Sequence, residues 1–246
     1  MNSKFKRPSN IPFPNVWCRF QLKHPNSDEL VHYFIQDLTP NRYEDAIEHL
    51  VNYFIADETM CKSRDLSSDL QSIADIRDII RSAILTYKLA VVVCFREGSD
   101  EIVAVNILCV RHTDEMCNWN YYNSSKVRDI ETTHYYIFGQ FDAFRRYKTR
   151  RCLTSFAFSV MPWYRTIGIG RKMLETNKYI ARMLGISLIS LLLTSNVSHR
   201  CAERPGYEKD YEITFAKLAC KGATFTYPGV TCSNISVHSF NLLQPI

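Results

Sequence analysis

The stretch CLTSFAFSVMPWYRTIGIGRKMLETNKYIARMLGISLISLLL, from position 152 to position 193, decides the fold. Its first residues, 152–160, predict a strand, and a turn with two glycines follows. The segment 168–184 then predicts a helix that Gly185 ends. The apolar run 186–193 is typical of a strand that is buried on both faces. The stretch is therefore a β-α-β unit, and the fold class is α/β (α+β).

Strand and helix patterns continue on both sides of this unit. A strand is predicted at 29–38, and Thr39 with Pro40 begins a helix that reaches about position 55. Further expected elements are a helix capped by Ser67 or Ser68, strands at 89–95 and 102–110, a helix over 130–147, a short helix at 198–204, and strands at 211–218 and 231–242. We expect one domain, 29–246, preceded by an N-terminal extension, 1–28.

The composition fits a globular chain that binds a small anionic ligand. The 246 residues are 46% hydrophobic and carry a formal net charge of +5. Because the 30 basic and 25 acidic residues are interspersed, neither a nucleic-acid partner nor a membrane-binding tail is predicted. The longest apolar run is far shorter than the roughly 20 residues of a membrane span, and no signal peptide is evident. We expect a cytoplasmic monomer.

Cysteine and histidine spacing argues against disulfide or metal chemistry. The nine cysteines are odd in number and include no C-x-x-C pair, which favours free thiols. The seven histidines show neither H-x-x-x-H nor H-E-x-x-H spacing. No metal cofactor is therefore expected.

The segment 165–170, Arg-Thr-Ile-Gly-Ile-Gly, joins the strand to the helix of the unit. Backbone N–H groups at the start of a helix can bind a phosphate, and glycine lets the main chain approach it closely. The dinucleotide motif G-x-G-x-x-G fails because position 173 is Met, and the P-loop sequence G-K-[ST] is absent. The other interpretation is a tight turn that two glycines shape.

This segment resembles the R-x-x-G-x-G/A motif with which GNAT acetyltransferases hold the pyrophosphate of coenzyme A, and the surrounding elements follow that family's order. The resemblance implies a GNAT fold: a mixed central sheet of about seven strands, helices on both faces, and splayed parallel strands that form an acetyl-CoA cleft. It also implies acetyl-CoA as the co-substrate. The residues that it assigns to acetyl-CoA are Phe158, Ser159, Val160, Arg165, Thr166, Ile167, Gly168, Ile169, Gly170 and Arg171.

Over about residues 30–243 the chain further resembles the insect arylalkylamine N-acetyltransferases. The matching segments are Asp57-Glu58, 102–106, 158–160, 194–200 and Gly206-Tyr207. The resemblance implies direct transfer of an acetyl group to a primary amine, an aromatic ethylamine, through a ternary complex. The chain departs from the family's usual Pro, Gly and Leu at Thr59, Thr166 and Pro205.

Acetylation of an amine calls for a general base. An alkylamine has a pKa near that of lysine, about 10.4, so only about one molecule in a few thousand is neutral at pH 7. Maintaining the neutral amine costs roughly 4 to 5 kcal/mol, which makes a positioned base valuable. The resemblance implies Glu58 as this base, and the alternative is a solvated loop carboxylate.

Hydroxyls and backbone N–H groups complete the expected chemistry. The resemblance favours Thr194 and Ser198 as supporting catalytic hydroxyls, and Ser195 or Tyr207 could also protonate the leaving thiolate. Helix capping is an equal alternative for Ser198 and the favoured one for Ser195. Backbone N–H groups along 156–160 could stabilise the charge that develops on the carbonyl oxygen, if that strand bulges or splays.

Two further features invite alternatives. The basic residues of segment 145–151 could attract the 3′-phosphate of coenzyme A, although a solvated helix end is the favoured interpretation. Cys61, three residues after Glu58, could carry an acetyl group covalently. At the level of function, the alternatives are a GNAT enzyme that acts on a polyamine or a protein N-terminus, and a non-catalytic protein that binds coenzyme A or an amine.

Overall fold

The computed structural model describes residues 5–24, 27, 29–86, 91–113 and 122–243. These residues form one mixed sheet of eight strands in the order β1-β2-β3-β4-β5-β6-β8-β7. The strands are β1 (Val16–Lys23), β2 (Leu30–Asp37), β3 (Val91–Arg96), β4 (Ile102–His112), β5 (Arg151–Val160), β6 (Leu188–Leu193), β7 (Glu208–Thr214) and β8 (Asn234–Asn241). The mixed sheet that the sequence predicted is confirmed.

Helices cover both faces of the sheet, as expected. They are α1 (Tyr43–His49), α2 (Thr59–Ser63), α3 (Leu70–Thr86), α4 (Ser125–Gln140), α5 (Ala143–Arg146), α6 (Ile169–Met183), α7 (Asn196–Glu203) and α8 (Phe215–Ala219). A π-helical turn, Leu50–Phe54, continues α1. The buried residues of α1, α3 and α4 share one apolar core with one face of β4, and those of α6 share a second core with the other face. Among the described residues, no helix has the length and apolarity to cross a membrane.

The predicted β-α-β unit is present, and its two strands diverge. β5 pairs with β4 along its whole length in antiparallel register, from His112 opposite Arg151 to Ala104 opposite Val160. β5 and β6 are parallel, but their ladder consists of the single pair Leu153 and Ile189. The strands therefore separate beyond that pair, which leaves a gap at the carboxyl end of β5. Gly185 ends α6 in the left-handed conformation, at φ 65°, as the sequence predicted.

The first strand lies within the predicted N-terminal extension, 1–28. β1 pairs with β2, and this added strand makes the count eight instead of about seven. Buried Asp37 anchors β1 and the segment before it, because it accepts hydrogen bonds from Trp17 Nε1 (2.7 Å) and from Arg7 Nη2 (2.8 Å). The division into 1–28 and 29–246 stays a prediction.

Several predicted boundaries were wrong, mostly at caps. Asp69, not Ser67 or Ser68, caps α3, because its Oδ2 accepts the Ser72 N–H at 3.1 Å. Ser124 caps α4 in the same way, so the predicted helix 130–147 begins at Ser125 and is broken after Gln140.

The predicted strand 211–218 ends earlier than expected. Thr214 caps α8, which occupies the second half of that segment. Residues 89 and 90 of the predicted strand 89–95 lie outside the described residues, and β3 covers the rest of that segment.

Candidate active site

Backbone groups of β5 point into the gap between β5 and β6. Met161 donates to the Val103 carbonyl at 2.9 Å, and hydrogen bonding alternates along an antiparallel pair. The peptide groups of Phe158 and Val160 therefore face away from β4 and towards the gap. Nearer the strand's centre, Ala157 and Ser155 pair with consecutive β4 residues, so Phe156 is the extra residue of a β-bulge. The bulge required for carbonyl-oxygen stabilisation by 156–160 is thus present.

The glycine loop borders the same gap. Gly168 precedes α6 with a φ of 106°, a conformation that favours glycine. Gly170 lies in the first turn of α6, and a Cβ atom there would be 3.7 Å from both Cys201 Sγ and Phe158 Cζ. Larger side chains at position 170 would crowd these two neighbours. An α6 N-terminus that is open to the gap has the donors and the dipole that a pyrophosphate requires.

Arg165 connects this loop to the segment that carries Glu58. Its Nε donates to the Val160 carbonyl at 2.9 Å, and its Nη1 lies 2.7 Å from Asp57 Oδ2. The guanidinium is partly exposed, with 39% of the side chain accessible. Arg165 therefore holds the loop in place by contacts within the protein, while Arg171 lies 3.6 Å from Glu175 along α6.

Thr166 is strained where the family usually has glycine. Its φ of 69° lies in the left-handed region, which costs a residue with a Cβ atom roughly 1 to 2 kcal/mol. We expect Thr166→Gly to raise the free energy of unfolding by about 0.5 to 1 kcal/mol, because the relieved strain exceeds the added freedom of the unfolded chain. Denaturant titration measures the change.

Lys148 offers a matched control for this prediction. It has a φ of 50° outside the glycine loop, so Lys148→Gly should also stabilise the protein. The two variants should differ in their affinity for acetyl-CoA, measured by calorimetric titration. Only Thr166→Gly is expected to change that affinity. A Thr166→Gly protein that is less stable than the wild type would show that the Thr166 side chain makes a compensating contact.

Glu58 is held at the start of α2. Its Oε2 accepts the N–H groups of Met60 (2.9 Å) and Cys61 (2.8 Å), so Glu58 is the N-cap of the helix. Its Oε1 accepts the hydroxyl of Thr194 at 2.6 Å. Thr194 directly follows β6, one of the two diverging strands. The half-buried carboxylate is therefore not a solvated loop group, and two of the three predicted catalytic residues are in contact.

Ser198 and Ser195 form a capping box at the start of α7. The Ser195 hydroxyl accepts the Ser198 N–H at 3.1 Å, and Ser198 Oγ accepts the Ser195 N–H at 3.2 Å. The Ser198 hydroxyl also donates to the Ser195 carbonyl at 2.8 Å. Capping is thus present for both serines, and a catalytic role for Ser198 stays a prediction. Tyr207, the other proposed donor, is buried and its hydroxyl donates to the Leu174 carbonyl at 3.0 Å.

Cys61 is a poor candidate for covalent chemistry. Burial raises the pKa of the Cys61 thiol well above its usual value, and the nearby charge of Glu58 raises it further. The thiol is therefore protonated at neutral pH, whereas the thiolate is the nucleophilic form.

The basic segment 145–151 lies at the wrong end of β5 for coenzyme A. It leads into the amino end of the strand, whereas the glycine loop follows the carboxyl end. Ten residues of strand separate the two ends by about 30 Å. Its side chains are also exposed, which further favours the interpretation of the segment as a solvated helix end. The exposed residues are Arg145, Arg146, Lys148 and Arg150.

A side-chain cluster that joins the end of α2 to α4 was not predicted from the sequence. Arg64, which ends α2, lies 3.2 Å from Asp129 on α4 and stacks over the Tyr227 ring at 5.1 Å. The Tyr227 hydroxyl in turn lies 2.7 Å from Thr133 Oγ1. These residues are far apart in sequence and match no local motif, so only the tertiary structure brings them together.

No metal site is built into the part of the chain that the structure describes, where no group of three or more His, Cys, Asp or Glu side chains is suitably placed. The expectation that no metal takes part stays a prediction.

Comparisons with known proteins identify the family. No protein-family model matches the chain, and no curated protein matches it in sequence. Among solved structures, the protein named arylalkylamine N-acetyltransferase 7 of the mosquito Aedes aegypti is 36% identical, with a TM-score of 0.92 over 97% of this chain and 100% of that one. The Drosophila melanogaster polyamine N-acetyltransferase is 19% identical, with a TM-score of 0.71 over 85% and 100%.

A more distant structure supports the assignment of the fold and nothing further. It is an acetyltransferase of Salmonella typhimurium, solved with its cofactor acetyl-CoA, at 12% identity and a TM-score of 0.51 over 87% of this chain and 95% of that one. The similarity to the mosquito structure extends over the whole fold, including the eight-stranded mixed sheet and its diverging parallel strands. The chain belongs to the insect arylalkylamine N-acetyltransferases of the GNAT superfamily and is an acyltransferase.

Proposed function

We propose that this enzyme transfers the acetyl group of acetyl-CoA directly to the nitrogen of a primary arylalkylamine, within a ternary complex. The observation that carries the proposal is the contact of Glu58 with Thr194, at 2.6 Å, where the chain leaves β6 beside the gap. The mosquito relative, which is named as an arylalkylamine N-acetyltransferase, supports the choice of substrate.

The residues around the gap fit acetyl-CoA. The first turn of α6 and the loop 165–171 would hold the pyrophosphate, because their N–H groups and the helix dipole favour an anion. The peptide groups of Phe158 and Val160 would pair with the amides of the pantetheine arm, as an added strand would. Acetyl-CoA supplies the activated acetyl group, and Gly170 keeps the approach to it open.

Glu58 would take the proton of the bound ammonium, directly or through water. Its fixed position matters, because a general base must lie within hydrogen-bond reach of its proton or one water away. The two helix-cap hydrogen bonds and the Thr194 hydroxyl orient the carboxylate. A positioned base of this kind contributes about 100-fold to 10,000-fold to the rate.

Backbone N–H groups at the β5 bulge would stabilise the negative charge that develops on the acetyl oxygen. A hydroxyl of the segment after β6, Thr194 or Ser198, would give a proton to the leaving thiolate. Both hydroxyls already donate within the protein, Thr194 to Glu58 Oε1 and Ser198 to the Ser195 carbonyl, so either would have to turn its O–H towards the thiolate. A cytoplasmic location and a monomeric state also stay predictions.

Steady release of free thiol from acetyl-CoA tests the proposal. We expect release to depend on an added amine, with kcat/KM higher for tryptamine, dopamine or octopamine than for spermidine, because an aryl ring adds apolar contact. Much faster acetylation of spermidine or of a peptide N-terminus would place the enzyme on another branch of the superfamily. No release with any amine, from a protein that binds acetyl-CoA, would indicate a non-catalytic binding protein.

A further inference from the structure

Arg64 ends α2, the five-residue helix that Glu58 begins. The two residues are the caps of this helix and lie about 9 Å apart along its axis, at 1.5 Å per residue. The Lys62 N–H donates to the Glu58 carbonyl at 2.8 Å, and the Arg64 N–H donates to the Met60 carbonyl at 3.1 Å. These backbone hydrogen bonds fix the two ends of α2 relative to each other, so a displacement of Arg64 would move Glu58 with it.

The position of α2 on the sheet depends on contacts with the rest of the protein. An isolated helix of this length is not stable in water, so tertiary contacts must hold it in place. The hydrogen bonds from Met60 and Cys61 to the Glu58 carboxylate lie within α2 and orient only the carboxylate relative to the helix. Buried Met60 and Cys61 pack against the core, but apolar contacts are non-directional. The orientation of α2 therefore depends on its polar contacts.

These polar contacts lie at both ends of α2, and those at the carboxyl end come mainly from Arg64. Its Nη2 donates to the carbonyl oxygens of Ala223 (2.7 Å) and Thr224 (2.9 Å), which lie between α8 and β8. The same nitrogen lies 3.2 Å from Asp129 Oδ2 on α4, and the guanidinium lies over the Tyr227 ring at 5.1 Å. Only 19% of the side chain is exposed. Hydrogen bonds from a charged donor are roughly twice as strong as neutral ones, so Arg64 joins α2 firmly to two distant parts of the chain.

We propose that Arg64 is a positioning residue, which through these contacts holds α2 where the Glu58 carboxylate can reach the proton of the bound amine. The inference rests on the proposed function and adds the group that sets the geometry of its general base. Such a group matters because a displacement of about 1 Å at a reacting centre can lower a rate roughly 100-fold. Arg64 thus acts on the rate through Glu58 and not on the substrate itself.

Replacing Arg64 by Gln tests this role. Glutamine is shorter and uncharged, so it cannot serve both carbonyl groups and Asp129 together. We expect kcat with tryptamine at pH 7 to fall by roughly tenfold to 100-fold. The calorimetric affinity for acetyl-CoA should stay within about twofold of the wild type, because the change acts on the chemical step. Arg64→Lys keeps the charge and loses the planar fork, so its defect should be of the same kind and smaller.

Combination with Glu58→Gln separates positioning from a general loss of stability. Residues that act as a unit have strongly non-additive effects on the rate. If Arg64 acts through Glu58, the double variant should be no slower than Glu58→Gln alone. The Arg64→Gln defect should also shrink near the amine's own pKa, about 10.4, where solvent supplies the neutral nucleophile. Arginine stays charged throughout this range, so its own titration cannot produce the change.

Arg42 provides a matched control. Its Nη2 donates to the Asp100 carbonyl at 2.7 Å, its guanidinium pairs with Asp45, and it lies over the Phe95 ring at 5.3 Å. Its side chain is 22% exposed, close to the value for Arg64, and these contacts involve no residue of α2. Arg42→Gln therefore removes the same kinds of contact elsewhere. Its kcat should stay within about twofold of the wild type, since Glu58 keeps its position.

Thermal unfolding checks that each variant is folded, and Arg64→Lys carries the same comparisons if Arg64→Gln is not. A folded Arg64 variant that is as active as Arg42→Gln would overturn the positioning role alone. The same holds for an Arg64 defect that multiplies with that of Glu58→Gln or has equal size at every pH. Normal activity of Glu58→Gln at pH 7 would instead overturn the general base of the proposed function, and the positioning role with it.

Discussion

Replacing Glu58 by Gln is expected to lower kcat/KM at pH 7 by about two to four orders of magnitude, with acetyl-CoA affinity nearly unchanged. Glutamine keeps the length of the side chain, and its carbonyl oxygen can still accept the N–H groups of Met60 and Cys61. The variant therefore removes the proton acceptor and retains the helix cap. Steady-state kinetics with tryptamine and calorimetric titration with acetyl-CoA measure the two quantities.

The defect should shrink as the pH rises. Near the amine's own pKa, about 10.4, solvent supplies the neutral nucleophile and the protein base contributes less. Wild-type and Glu58→Gln rates should then converge, which loss of a structural contact would not produce. The same experiment therefore separates a base from a group that only stabilises the fold.

A second capping carboxylate supplies the control. Asp142 caps the short helix α5 and accepts the Arg145 N–H at 3.0 Å, much as Glu58 caps α2. Asp142→Asn should leave kcat/KM unchanged at every pH. Normal activity of Glu58→Gln at pH 7, or a defect of equal size at all pH values, would show that Glu58 acts only as a helix cap.

The sequence predicted the β-α-β unit well because its signals are local. The glycine turn and the apolar run stand in the order that such a unit requires. Gly185 ends the helix where its left-handed φ of 65° is needed. The predicted splay of the parallel strands is also present, with a single ladder pair between β5 and β6. That feature came from the resemblance, since no residue pattern within either strand encodes it.

The surroundings of Glu58 could not be predicted in the same way. Glutamate is not among the favoured N-cap residues, so nothing in the local sequence indicated that Glu58 starts a helix. Its contact with Thr194 joins residues 136 positions apart and depends on where β6 ends. β1 was also missed, although residues 19–23 alternate polar and apolar side chains, as an edge strand with one exposed face does.

Replacing Gly170 by Val is expected to weaken acetyl-CoA binding by about tenfold or more. A Cβ atom at this position would make ordinary contacts, at 3.7 Å from Cys201 Sγ and from Phe158 Cζ, so Gly170→Ala should be tolerated. The two further methyl groups of valine would crowd the neighbouring side chains of Cys201 and Phe158 and so narrow the approach that a pyrophosphate would need. Forcing extra methyl groups into a closely packed place typically costs about 1 to 3 kcal/mol.

Calorimetric titration of the wild type and the Gly170 variants with acetyl-CoA decides whether the loop binds the pyrophosphate or is a simple turn. Gly139 on α4 has open space around its Cβ position, so Gly139→Val controls for the effect of valine in a helix and should bind acetyl-CoA like the wild type. If the loop binds the pyrophosphate, affinity should fall in the order wild type, Gly170→Ala and Gly170→Val, while thermal unfolding shows that all remain folded. Unchanged binding by a folded Gly170→Val protein would mean that the glycines only shape the turn, and that acetyl-CoA lies elsewhere.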